Sequence, residues 1–162
     1  MAELTNFHEL KQHIALLASV EKTDALFISC YLNLKNSQTS WQDALNKQAQ
    51  LLRGMLKGNN LADFEDTLEK TEAWLGSNLS PNAEGVALFA RSTFGGGFLL
   101  PMQFSAPLPN WITAYPTPNT YYLAKLMENR HHHYWCSQWW DSVSADWLCR
   151  RSQRPVLQAA SQ

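Results

Sequence analysis

Phe7, Leu10, Ile14 and Leu17 recur at helical spacing behind a capping-box pair, Asn6 and Glu9, which predicts a first helix. The next apolar stretch has no polar alternation. Leu26 to Leu34, LFISCYLNL, is a short, nearly continuous run rich in β-favouring residues, as expected of a strand buried on both faces. Leu26, Ile28, Cys30 and Leu32 should point to one side of this central strand, Phe27 and Tyr31 to the other. Ser40 and Asp43 then open a second helix, with Trp41, Ala44, Leu45, Leu52, Met55 and Leu56 on its inner side and Gly58 as its stop. Asn60 and Asp63 open a third, carrying Leu61, Phe64, Leu68 and Leu75 and stopping at Gly76. Asp63, Glu65, Asp66 and Glu69 in its early turns oppose the positive helix end, and so short a connection predicts an antiparallel helical hairpin.

Beyond the turn at Ser80-Pro81-Asn82 the texture changes to short strands. GVALFA (Gly85 to Ala90) and FLLPMQF (Phe98 to Phe104) flank Arg91 to Gly97, a hairpin tip with three consecutive glycines. Pro101 places its strand at a sheet edge or a bulge. WITAY, Trp111 to Tyr115, is a third short strand, and PTPNT leads into a fourth helix from Tyr121 to about Arg130. The expected class is α/β: a mixed, mostly antiparallel sheet of about four strands packed with helices in a single domain, residues 1–130. Residues 131–162 form an irregular Trp/His-rich tail without helical or strand periodicity, expected to be disordered or out of frame and to add little to domain stability.

Composition narrows the function. Thirteen Lys and Arg against fourteen Asp and Glu leave a net charge of −1, so the chain lacks the basic excess of a protein that grips nucleic acid broadly. No DNA partner is expected, and an RNA contact would be local. Three cysteines without framework spacing, no leader pattern and no 18-residue apolar run point to the reducing cytoplasm and away from a membrane. Oligomeric state is left open.

No residue set forms a legible catalytic centre, and no cofactor motif is present. His131, His132, His133, Cys136 and Cys149 have the right chemistry for zinc, but without a CxxC pair they read as a polar-aromatic tail with no metal site. Cys30 reads as a small buried hydrophobe, and His8 and His13 lie on the wetter side of the first helix without a nucleophile nearby. The acidic run Asp63 to Glu72 is a solvated helix face, and Lys35, Lys47, Arg53 and Lys57 are too sparse for a nucleic-acid surface. Arg91, Ser92, Thr93, Phe94, Gly95, Gly96 and Gly97 fail as a phosphate cradle because strand, not helix, follows them and no Lys comes. They remain a candidate recognition loop.

Tyr31-Leu32 at a strand end, a helical pair with the late Trp74, the Gly-Val-Ala-Leu-Phe strand, the Leu100-Pro101 strand and a proline-led helix together make a pattern. It resembles the N-terminal domain of bacterial homologues of archaeo-eukaryotic peptide-chain release factors, over about residues 4 to 127. The resemblance implies a ribosome-associated role in translation release, rescue or dormancy, with the ribosome or ribosomal RNA as partner. It does not carry over release chemistry, because the three glycines precede Phe98 rather than Gln and lie in the first domain. Nor does it carry over stop-codon reading, since Asn33 to Ser37 matches that motif only superficially. Family members continue into further domains, so a truncated or frameshifted reading is expected after the first. The expected function is therefore non-catalytic. The alternative is a small ligand-binding or hydrolase domain using Gly95 to Gly97 with Phe94, Phe98, Trp111 and Tyr115.

Overall fold

The computed structural model describes residues 4–35, 40–92 and 96–129. The chain divides into two compact units, Met1–Leu123 and Ala124–Gln162. Element order is α1 (Phe7–Ser19), β1 (Phe27–Asn33), α2 (Ser40–Met55), α3 (Asn59–Asn78), β2 (Gly85–Arg91), β3 (Phe98–Phe104) and β4 (Trp111–Tyr115). A last helix, α4, spans residues 121–129, of which 124–129 belong to the second unit. The expected capping box starts α1: Asn6 Oδ1 accepts from the Glu9 amide and Glu9 Oε2 from the Asn6 amide, each at 3.0 Å.

The four strands form one sheet in the order β3-β2-β1-β4, and every pairing is antiparallel. β1 is the buried centre, as its unbroken apolar run requires. Ile28, Cys30 and Leu32 share one face with Val86, Leu88, Ala90 and Ile112, and there they pack with Trp41, Leu45 and Ala49 of α2 and Phe64, Leu68 and Leu75 of α3. On the other face Tyr31 meets Phe89 and Tyr122 edge-on, at 5.8 and 5.2 Å between ring centres. The chain leading into α4 is clamped there by β1: the Asn119 amide donates to Ser29 Oγ (2.8 Å), and the Tyr31 hydroxyl donates to the Asn119 carbonyl. Asn119 Oδ1 then accepts from the Tyr121 amide at the helix start.

Backbone hydrogen bonds fix which groups face each sheet edge. The Leu34 amide donates to the Glu84 carbonyl (2.8 Å), whereas the Asn33 amide turns the other way, to Asn110 Oδ1 (2.8 Å). Even-numbered residues of β1 thus bond β2 and odd-numbered ones bond β4. By the same alternation, Gln103 and Pro101 of β3 and Ile112 and Ala114 of β4 turn their main-chain groups outward. Thr5 covers part of the β3 edge: its amide donates to the Gln103 carbonyl (2.7 Å), and its hydroxyl accepts from the Gln103 amide (3.2 Å). Pro101, as expected, lies on that edge strand, where it has no N–H to leave unpaired.

Residues 105–110 carry the chain from one edge of the sheet to the other. They pass directly over Gly85, where an added Cβ would sit 2.5 Å from the Ala106 carbonyl oxygen and 2.9 Å from the Leu108 nitrogen. Gly85 is thus the residue that lets the crossing lie flat on β2.

Several expectations need correction. Met55 is not on the inner side of α2 but 70% exposed, and Ala49, which the apolar pattern passed over, is buried. α2 ends at Met55 before Gly58; Gly58, at φ 58°, precedes α3 instead. α3 begins at Asn59, so its first turn holds no acid, and it runs through Gly76 to Asn78. A glycine on an exposed helix face costs only about 1 kcal/mol, less than burial of Leu75 and its neighbours returns. His13 is half-buried, and its Nδ1 has no partner among the described residues. The fold class is the expected one, α/β with a four-stranded sheet, and its strands pair antiparallel throughout. The expectations for residues 131–162, including the histidine–cysteine cluster, lie outside the described residues.

Candidate recognition loop

β2 and β3 form the expected hairpin, and the strand ends beside its loop belong to one cross-strand row, Phe27, Arg91, Phe98 and Tyr115. Thr93, Phe94 and Gly95 lie outside the described residues; the strand end before them is anchored on both faces of the sheet. Arg91 Nη1 donates to the Glu21 carbonyl (3.1 Å) and to Thr23 Oγ1 (3.4 Å), tying β2 to the segment between α1 and β1. Its guanidinium lies 5.7 Å from the Phe27 ring centre, and Phe27 packs against Phe98 at 5.2 Å. Arg91 Nε is buried without a partner among the described residues. On the opposite face Ser92 is fully buried, and its hydroxyl donates to Asp63 Oδ1 of α3 (3.1 Å).

The returning side of the tip uses glycine for its backbone. Gly96 and Gly97 have φ of 95° and 58°, a region that costs other residues strain, and the Gly97 amide donates to the Ser92 carbonyl (3.0 Å). Sequence alone marked the loop but not its anchors, because Asp63, Glu21 and Thr23 are remote along the chain and carry no motif. Gln103 was missed as well. Its buried side chain accepts from the Ser80 amide (2.7 Å) and donates to the Asn78 carbonyl (3.2 Å), linking the end of α3 to β3. The available signal was a single amide side chain in the otherwise apolar run FLLPMQF.

The aromatic residues of the ligand-binding alternative are not brought together. Phe98 and Tyr115 stand on opposite edge strands, three strand spacings or about 14 Å apart, and Trp111 is at the far end of β4. Trp111 and Tyr115 instead line a groove of ≈ 410 Å³ between β4 and α2, with Leu51 and Met55. Burial pushes the Cys30 thiol up to about 12, so the group is an apolar filler in its strand, as expected. Burial, with Tyr122 nearby, likewise raises the Tyr31 phenol. On the α2–α3 surface, hydrogen bonds from Arg53 at 2.6 and 2.8 Å hold the Glu65 carboxyl below its usual range. Among the described residues, no group of three or more His, Cys, Asp or Glu could hold a metal ion, and no helix is long and apolar enough to cross a membrane.

No known family profile matches the chain, and no curated protein does. A solved structure described as an archaeal protein shares the fold at a TM-score of 0.63 and 14% identity. The match covers 78% of this chain and 37% of that protein, so the chain corresponds to little more than a third of its length.

Proposed function

We propose that this chain is a non-catalytic, translation-factor-like domain that recognises a ribosomal surface, in a release, rescue or dormancy role, with Arg91 to Gly97 as its recognition loop. The observation that carries the reading is the double anchoring of the loop base. Arg91 is tied to one face of the sheet and Ser92 to the other, so the strand end that leads into the glycine-rich loop is a fixed stem. Binding residues concentrate on loops held by a rigid scaffold, and a stem of this kind limits the ordering cost of docking. The net charge of −1 favours a local contact over a broad grip on RNA. The resemblance to release-factor N-terminal domains supplies the partner class.

The test is sucrose-gradient fractionation of lysate containing tagged chain, wild type beside a Phe94→Ala variant. Wild type should travel with a ribosomal subunit and the variant should move towards the top of the gradient. Wild type remaining at the top, at low and moderate salt alike, would refute the proposal.

A further inference from the structure

The two edges of the sheet are finished differently. The β3 edge is blunted by Pro101 and capped at Gln103 by Thr5. On β4, Ile112 and Ala114 present their N–H and C=O groups outward, and no described residue bonds them. The usual guards of an open edge are missing too: no charged residue occurs between Arg91 and Lys125, and β4 contains no proline. Above this edge α2 carries Leu51 and Met55, one helical turn apart and 61% and 70% exposed; Tyr115, at the end of β4 and on its other face, is 59% exposed. On the other face of β4, paired with Ser29, Thr113 is 7% exposed.

We propose that β4 is a self-association edge, at which two copies of this chain pair β4 to β4 antiparallel about a twofold axis beside Thr113. This occupant is favoured because one symmetric register answers each observation. Centring the pair on Thr113 sets Ile112 opposite Ala114 of the second copy, and twice over these residues exchange the outward hydrogen bonds, four in all. Thr113 then faces its own copy in a non-hydrogen-bonded pair, where side chains approach most closely. Trp111 falls opposite Tyr115 of the other copy, covering that exposed ring.

The axis runs perpendicular to the sheet, so both α2 helices lie on one face. Each α2 packs over β1 and β4, so the two helices come about two strand spacings apart, roughly 9.6 Å. Packed helices stand about 8–10 Å apart, so Leu51 and Met55 would meet their own copies at contact distance. A charge-free edge also brings no like charges together across the axis.

Sedimentation equilibrium of the full chain at high micromolar concentration tests this directly. Wild type should have twice the monomer mass. Ala114→Pro deletes an outward N–H without touching the β1 ladder, and Leu51→Lys with Met55→Lys charges an exposed stripe; each should give monomer with an unchanged circular dichroism spectrum. With Cys136 and Cys149 replaced by Ser, Thr113→Cys should form an intermolecular disulfide under mild oxidation, since Cα atoms in such a pair lie about 4.5 Å apart. A monomeric wild type would overturn the proposal, as would a dimer that survives the double Lys variant or fails to cross-link through Thr113→Cys. If Ala114→Pro fails to fold, the double Lys variant and the cross-link still decide the matter.

Discussion

Replacing Gly85 by Ala should destabilise the domain, whereas the same change at Gly76 should stabilise it. At Gly85 the new methyl would lie 2.5 Å from the Ala106 carbonyl oxygen, 2.9 Å from the Leu108 nitrogen and 3.0 Å from Leu108 Cγ. Two of these three atoms are main chain and cannot rotate away. To restore ordinary contact the crossing segment must lift by the better part of an ångström, pulling buried Leu108 from its seat. Overpacking of this kind costs about 1–3 kcal/mol. The narrower conformational range of Ala in the unfolded chain offsets about 0.4–1 kcal/mol of that. A net loss of about 1–2 kcal/mol corresponds to a fall of roughly 2–8 °C in Tm for a chain of this size. Gly76 lies inside α3 with nothing within 4 Å of the added methyl, so Ala there should gain about 0.5–1 kcal/mol through helix propensity. Urea melts of both variants beside wild type check the pair. A Gly85→Ala variant as stable as wild type would mean that the crossing does not press on β2.

Truncating Leu88, fully buried between α2, α3 and the sheet, to Ala should cost about 2–5 kcal/mol in a urea melt, and Ile28→Ala should behave alike. Gln103→Ala removes its hydrogen bonds to the Ser80 amide and the Asn78 carbonyl at a buried site, so a loss of about 1–3 kcal/mol is expected, with Tm as the readout. Cys30 gives a pH dependence. Its folded pKa is raised from 9.0 to about 12, so above pH 9 the unfolded state sheds a proton that the folded state keeps, and stability falls as pH rises. Across that window the loss approaches about 4 kcal/mol. Urea midpoints from pH 8 to 11 should therefore fall more steeply in wild type than in Cys30→Ala; parallel curves would contradict the assignment.

The strands were legible because each is a short apolar run bounded by Gly, Pro or Asn, and a doubly buried strand has no other way to read. Helix ends were less so. Gly58 and Gly76 both carry the usual stop signal, yet only tertiary burial decides whether a helix outlasts a glycine, and Leu75 holds α3 through Gly76. Met55 was misplaced for a related reason. On a helical wheel Trp41, Leu45, Ala49 and Leu52 share one stripe, while Leu51 and Met55 form a second ridge towards β4; composition alone does not say that this ridge stays exposed. At the candidate loop the glycines announced a turn. The ties from Arg91 to Glu21 and Thr23, and from Ser92 to Asp63, join residues that only the folded sheet brings together.

The strand order has a consequence during synthesis. β1 is the centre of the sheet, yet its second neighbour, β4, is the last strand to be made. At roughly 5–20 residues per second, the stretch from Arg91 to Tyr115 takes about 1–5 s to translate. Throughout that interval a nascent chain that has already paired β1 with β2 leaves Phe27, Ser29 and Tyr31 with unmatched main-chain groups along its most apolar strand. That is the template on which foreign strands add. A fragment ending before Trp111 keeps three of the four strands but turns the centre of the sheet into its edge, so such fragments should precipitate while chains extending past Tyr115 stay in solution.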